Sequence, residues 1–340
     1  MMNNFLDTAD RLRRARDTRF ASGEKESFDL VFKGISALRA AHSKAALDTD
    51  NLESVFGAFE MARLSGRLGT LSPGEIGALN PSMRSLIVGT LERAILLPVT
   101  KGGVFPPRPY DDFVKLVTNV AGLSLGPVSI ITFNYDLNLD YMFHFANQAM
   151  DYCFDDKPTG GVPVMKLHGS VNWARCTGCS KVAPWALGRF FQKLSWDRSL
   201  LMFGETQTVT LDVGAKIATY EHCTGHACET APVIVPPTWN KAEYQQIGTV
   251  WKHAAQHLSE AENIIVIGYS LPETDQFFRY LFALGTIGDA RPQRFWVVDP
   301  DPEVAKRFEA LLGPSFRSRF LHYKKTFSES LGQLQGLQLA

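Results

Sequence analysis

The sequence predicts an α/β protein with a doubly wound parallel sheet, a helical segment before it and a small metal-binding module inserted into it. Three observations carry this reading. The first hundred residues show helical periodicity; short, near-continuous apolar runs then alternate with helical segments; and two close cysteine pairs interrupt those runs. Apolar runs without alternation are expected where helices cover both faces of a parallel sheet.

Composition sets the bounds. The chain has 340 residues, 45% of them hydrophobic, enough for about two domains of roughly 150 residues or one large α/β unit with insertions. Lys plus Arg equals Asp plus Glu at 35 each, so no electrostatic footprint for nucleic acid or an anionic membrane is expected. The start, with DRLRRARDTRF, lacks the apolar core of a signal peptide, and no run approaches a membrane span. A soluble, cytoplasmic protein is expected.

In chain order, Thr8 to Leu96 reads as helical. DNLESVFGAFEMARL sets Leu52, Val55, Phe56, Phe59 and Leu64 near one face, and SMRSLIVGTLERAIL repeats the pattern. Asp50 and Ser82 suit helix N-caps, Gly69 to Pro81 reads as the connection between two helices, and no strand is expected in the first hundred residues. The Pro- and Gly-rich stretch Lys101 to Asp112 reads as a linker before a helix through Phe113 to Val120. Five strand-like runs follow at 128–133, 162–167, 232–236, 263–268 and 294–299. The expected organisation is a helical segment over 1–120, a sheet domain over 121–173 and 231–325, and an inserted module over 174–230.

Ligands of open α/β sheets sit outside the carboxyl ends of the strands. Here the runs end in Asn134-Tyr135-Asp136, His168-Gly169-Ser170, Gly268-Tyr269-Ser270-Leu271-Pro272 and Asp299-Pro300-Asp301. If the runs are neighbours in one sheet, Asn134, Asp136, His168, Ser270 and Asp299 lie along the edge where a nucleotide binds. Gly268 to Ser270, followed by Thr274 and QFFRYLFALG, offers a tight turn, an N-cap and backbone N–H groups for a phosphate; the same residues equally suit a plain strand-to-helix connection. Asp299 suits ribose hydroxyls and also suits a turn. The chain contains no G-x-G-x-x-G, no P-loop and no H-E-x-x-H, which disfavours standard dehydrogenases, P-loop NTPases and zincins.

Cys176-Thr-Gly-Cys179 and Cys223-Thr-Gly-His-Ala-Cys228 can each grip one side of a tetrahedral ion, and zinc fits thiolates best. Adjacent His222 and His226 could replace one cysteine. Such a closed site has no open position for water, so it would be structural. Cys153 is expected only to pack.

Taken together, Ile131-Thr-Phe-Asn-Tyr-Asp136, Lys166-Leu-His-Gly-Ser170, the cysteine pairs and Val266-Ile-Gly-Tyr-Ser-Leu-Pro272 resemble, in this order, the sirtuin-like superfamily in its divergent prokaryotic branch, over about Asp50 to Leu312. The resemblance implies a Rossmann-like NAD-binding domain with a zinc module inserted after the His-Gly segment. It implies His168 as catalytic histidine, Asn134 and Asp136 near the nicotinamide ribose, Gly268, Tyr269 and Ser270 in the turn against NAD, and Asp299 at a ribose-contacting position. It further implies NAD hydrolysis, often in antiviral defence, or NAD-dependent protein deacylation. The long N-terminal helices favour hydrolysis and could cap the pocket or form an oligomer or partner interface.

The family's opening strand and Gly-Ala-Gly-x-Ser loop have no counterpart before the helices. Either the chain starts downstream of them or this member has lost part of its phosphate clamp. A degenerate nucleotide-binding or scaffold protein is therefore an alternative. A second is a serine hydrolase using Ser270 and a downstream histidine such as His322, since Gly268-Tyr-Ser270-Leu-Pro272 falls one residue short of G-x-S-x-G.

Overall fold

The computed structural model describes residues 5–15, 20, 23–40, 46–100, 103–104, 109–122, 128–193, 208–235, 244–272, 275–287 and 293–336. Four helices open the chain: α1 (Phe5–Arg14), α2 (Glu24–Ala40), α3 (Leu52–Ser65) and α4 (Pro73–Ala94). Next come β1 (Leu97–Thr100), β2 (Gly103–Val104), α5 (Tyr110–Gly122), β3 (Ile130–Thr132), α6 (Asn138–Phe145), β4 (Met150–Asp151) and β5 (Val162–Lys166). The middle of the chain holds β6 (Trp173–Arg175), β7 (Val182–Pro184), α7 (Leu187–Lys193), β8 (Thr208–Val209), β9 (Glu221–Cys223) and β10 (His226–Ala227). The remainder runs α8 (Gly248–Glu260), β11 (Asn263–Ile267), α9 (Gln276–Gly285), β12 (Arg294–Val298), α10 (Pro302–Leu311), α11 (Pro314–Arg317), β13 (Phe320–Tyr323) and α12 (Phe327–Gly336). Among the described residues no helix is long and apolar enough to cross a membrane.

This mixed α/β chain divides into two compact units, and neither is a contiguous stretch. The first comprises 1–104, 134–137 and 168–246, and the second 105–133, 138–167 and 247–340.

In the first unit, α2 and α3 pack on α4 through fully buried Phe28, Val31, Val55, Phe56, Phe59, Leu79, Met83 and Leu86. Helix α3 starts one residue later than expected, because Asn51 and not Asp50 accepts the N–H groups of Glu53 and Ser54. The N-cap of α4 is Ser72, ten residues before Ser82. Ser72 and Glu75 form a reciprocal capping box, with Pro73 in the first turn. The stretch to Pro81 is therefore largely helix, and Ser82 is a buried interior residue. The apolar stripe Ile76, Leu79, Met83, Leu86 runs unbroken past Pro81, and its burial outweighs the roughly 3 kcal/mol that an interior proline costs. Arg93 pairs with Glu24 at 2.6 and 2.8 Å, both side chains 10% exposed, which locks α4 to α2.

Helix α4 also grips the inserted segment. Arg84 Nη1 donates to the Ile234 carbonyl at 2.6 Å, and the N–H of Gly214 donates to Glu92 Oε1 at 2.5 Å. A strand is present before residue 100 after all: β1 lies between β2 and β8, antiparallel to both. The apolar segment at 232–235 makes no parallel strand. Ile234 forms an isolated antiparallel bridge to Gly169, because the insertion brings the chain back against its own point of departure; Pro236 lies outside the described residues, as do 101, 102 and 105–108 of the expected linker, whose last three residues already belong to α5.

The second unit holds two three-stranded sheets, both wholly parallel, in the orders β3-β5-β4 and β11-β12-β13. Four of the five expected runs supply β3, β5, β11 and β12, and β13 adds a strand that the sequence did not announce. In the second sheet Phe295 faces an aromatic cluster of Phe282, Phe308 and Phe316. Trp296 and Ile267, on the opposite face, pack with Leu116 of α5 and with Leu331 and Leu334 of α12. Helices pack on both faces, but the Trp296 face is covered only in part, since its neighbours Ile265 and Leu321 are exposed. Behind β5, Lys166 and Asp140 form an ion pair at 2.8 Å, each side chain 1% exposed, and Tyr152 donates its hydroxyl to the other carboxylate oxygen.

Two outcomes follow. Removing one member of a buried pair strands the other charge, so Asp140→Ala lowers unfolding stability by about 3–5 kcal/mol, whereas Lys33→Ala, which opens the exposed pair with Glu75, costs less than about 1 kcal/mol; urea titration measures both. Burial pushes the Glu92 carboxyl up to about 8 from 4.5, against the opposing amide of Gly214. The group stays protonated when folded and ionises earlier when unfolded. Its contribution is therefore complete below pH 4.5 and is lost as pH rises towards 8; Glu92→Gln flattens that limb, whose slope is at most about 1.4 kcal/mol per pH unit.

Candidate functional site

Each unit carries one group of the expected site residues. In the first, the chain leaves β5 through Leu167 and turns at Gly169, whose φ is 84°. A Cβ there would stand 2.1 Å from the Val233 carbonyl oxygen, so glycine is required both by conformation and by space. The turn is pinned by Ser170 N–H to the Val233 carbonyl at 3.0 Å and Val235 N–H to the His168 carbonyl at 2.8 Å. The Asn134–Leu137 segment joins it: Val171 N–H donates to the Tyr135 carbonyl at 3.1 Å, and Ser170 Oγ to the same oxygen at 3.3 Å. The Tyr135 ring lies 5.9 Å from the His168 imidazole. This arrangement gathers His168 and Asp136, both buried, with an exposed Asn134.

In the second unit, Gly268 ends β11 with φ 62°, and its N–H reaches across to the Val298 carbonyl at 3.1 Å. The turn beyond is tightly determined. Tyr269 stacks on Phe133 with centroids 4.3 Å apart and donates its hydroxyl to Asp275 Oδ2 at 2.5 Å. Asp275 Oδ1 accepts the N–H of Phe278 and so caps α9; Thr274, the cap expected from sequence, lies outside the described residues. Leu271 has φ 48°, unfavourable for a bulky side chain, and is held there fully buried. Ser270 offers its carbonyl to Arg307 Nε at 2.8 Å. Asp299 is fixed beside this turn: its Oδ1 accepts the Asp301 N–H at 2.8 Å and its carbonyl accepts His322 Nε2 at 2.8 Å. Among the described residues Ser270 and His322 share no hydrogen bond; His322 is turned to the Asp299 carbonyl instead.

A separate cluster occupies the insertion. The ligand atoms of Cys176, Cys179, His222 and Cys223 all lie within 4.8 Å of one another. A tetrahedral zinc ion with bonds of about 2.3 Å needs donor separations of roughly 3.8 Å, and His222 Nδ1 stands 3.5 Å from Cys179 Sγ and 3.4 Å from Cys223 Sγ. The donor set therefore fits a metal ion. The turns prepare it: backbone N–H groups, that of Cys179 foremost, lower the Cys176 thiol to about 6, whereas hydrogen bonds with Cys179 and Cys176 raise Cys223 to about 11. Cys228 faces Cys176 across an isolated antiparallel bridge, with its sulfur outside the four-donor group. Sequence left the choice between histidine and cysteine open, since His222 directly precedes Cys223. It assigned no part to Tyr135 or Arg307, whose contacts run through the backbone carbonyls of Tyr135 and Ser270.

No protein-family model matches this chain, and no curated protein matches it. A solved structure described as the crystal structure of a Sir2 homolog–NAD complex is similar, with 14% sequence identity and a TM-score of 0.39, over 79% of this chain and 75% of that one.

For the cluster, Cys179→Ser and His222→Ala each abolish stoichiometric zinc by elemental analysis of the purified protein, and Cys228→Ser retains it. Zinc lost only with Cys228→Ser and kept with His222→Ala would reverse the ligand assignment.

Proposed function

We propose that the protein binds NAD and cleaves its nicotinamide–ribose bond with water as acceptor. The observation that supports this reading is the backbone clamp between Tyr135 and Ser170–Val171, which ties the segment carrying Asn134 and Asp136 to the turn carrying His168. Breaking the N-glycosidic bond gives the ribose carbon oxocarbenium character, which an adjacent carboxylate stabilises and an oriented water captures. In this reading His168 is the general base, Asn134 orients the water or the ribose, and Asp136 supplies negative charge. The turn Gly268 to Ser270 and the carboxylate of Asp299 hold the adenosine-diphosphate portion. The two parallel sheets are read as halves of a Rossmann-like, doubly wound domain. The Cys176, Cys179, His222, Cys223 cluster is read as a zinc site that staples the insertion and takes no chemical part.

Nicotinamide release from NAD by the purified chain tests the reading. It predicts release without any acyl-lysine peptide, reduced roughly 10²–10⁴-fold by His168→Ala. Release only when such a peptide is supplied would assign a deacylase instead, and NAD binding without release a nucleotide-binding protein.

A further inference from the structure

We propose that Arg307 supplies the positive charge for the diphosphate of the bound nucleotide, an inference that rests on the NAD reading above. A dinucleotide brings two negative charges to its site, and this chain has neither a P-loop nor a G-x-G-x-x-G segment to receive them. The NAD reading assigns the adenosine-diphosphate portion to the turn after β11, and Arg307 is a cation that bonds to that turn. Its Nε donates to the Ser270 carbonyl at 2.8 Å.

The rest of the guanidinium is uncommitted. Glu303, one helical turn earlier, is taken by Lys306 at 2.7 Å, and among the described residues neither Nη1 nor Nη2 of Arg307 has a hydrogen-bond or carboxylate partner. Tethering through Nε fixes the plane of the group and leaves the two terminal nitrogens as a fork, the arrangement that binds phosphate oxygens in bidentate fashion. Both ends of the tether are rigid. Val304, Ala305 and Phe308 bury α10 around Arg307, and the turn is held by buried Leu271, the Phe133–Tyr269 stack and the Tyr269–Asp275 hydrogen bond. Asp299 lies just before the same helix, and its carboxylate would repel a phosphate on the adenosine ribose, so the diphosphate bridge is the group assigned to Arg307.

Calorimetric titration of ADP-ribose, NADP and adenosine into the full chain and into Arg307→Ala and Arg307→Lys tests this. Arg307 is half-exposed, and circular dichroism checks that the variants fold. The expected result is ADP-ribose affinity weakened roughly 10- to 100-fold by Arg307→Ala, in line with loss of a charged hydrogen bond, partial recovery in Arg307→Lys, and unchanged adenosine affinity. Equal ADP-ribose affinity in wild type and Arg307→Ala would overturn the assignment while leaving the NAD reading intact. A loss confined to NADP would overturn it in favour of the ribose phosphate. Failure of the wild-type protein to bind ADP-ribose at all would overturn both.

Discussion

The contact on which the arrangement turns is the approach of Gly169 to the Val233 carbonyl. No side chain fits there, and the positive φ of Gly169 lets the chain reverse against the returning end of the insertion. Three consequences follow from this one backbone fact. The His168 carbonyl is tied to Val235, Ser170 is left facing Tyr135, and the insertion begins and ends at the same place. A segment whose ends are already joined has given up much of its loop-closure entropy. A metal held by Cys176, Cys179, His222 and Cys223 would then cross-link shorter loops.

Helix α4 gives that junction its rigidity. It reaches the returning strand through Arg84 and the middle of the insertion through Glu92, while Arg93 on the same helix is bound to Glu24. The N-terminal helices and the insertion therefore form a single unit with the His168 turn. The contacts of Arg84 and Glu92 are made to backbone atoms, and such bonds constrain direction more sharply than apolar packing does.

The sequence discloses what depends on local pattern and conceals what depends on return contacts. NIIVI and RFWVV are legible as β11 and β12 because a parallel strand with helices on both sides favours consecutive apolar residues, here Ile264–Ile267 and Phe295–Val298. The segment at 232–235 has the same composition, yet it pairs antiparallel; the deciding atom is the Gly169 backbone, sixty-odd residues away in sequence. The start of α4 was open to reading, since Ser72-Pro73-Gly74-Glu75 spells a capping box, but Pro81 suggested a break that packing overrode. Asn134, Asp136 and His168 were visible as polar ends to apolar runs. Arg307 was not, because a side chain that bonds to a carbonyl leaves no signature in residue type.

The interleaving of the two units bears on how the chain is made. The first unit has all its segments once residue 246 has been synthesised, but β3 and β5 of the second unit are made long before α8, which packs on β5, and before the whole β11–β13 sheet. At about 5–20 residues per second, the first of the two parallel sheets waits on the order of ten seconds for α8. The first unit can thus be complete in sequence while the second still lacks α8 and its later sheet.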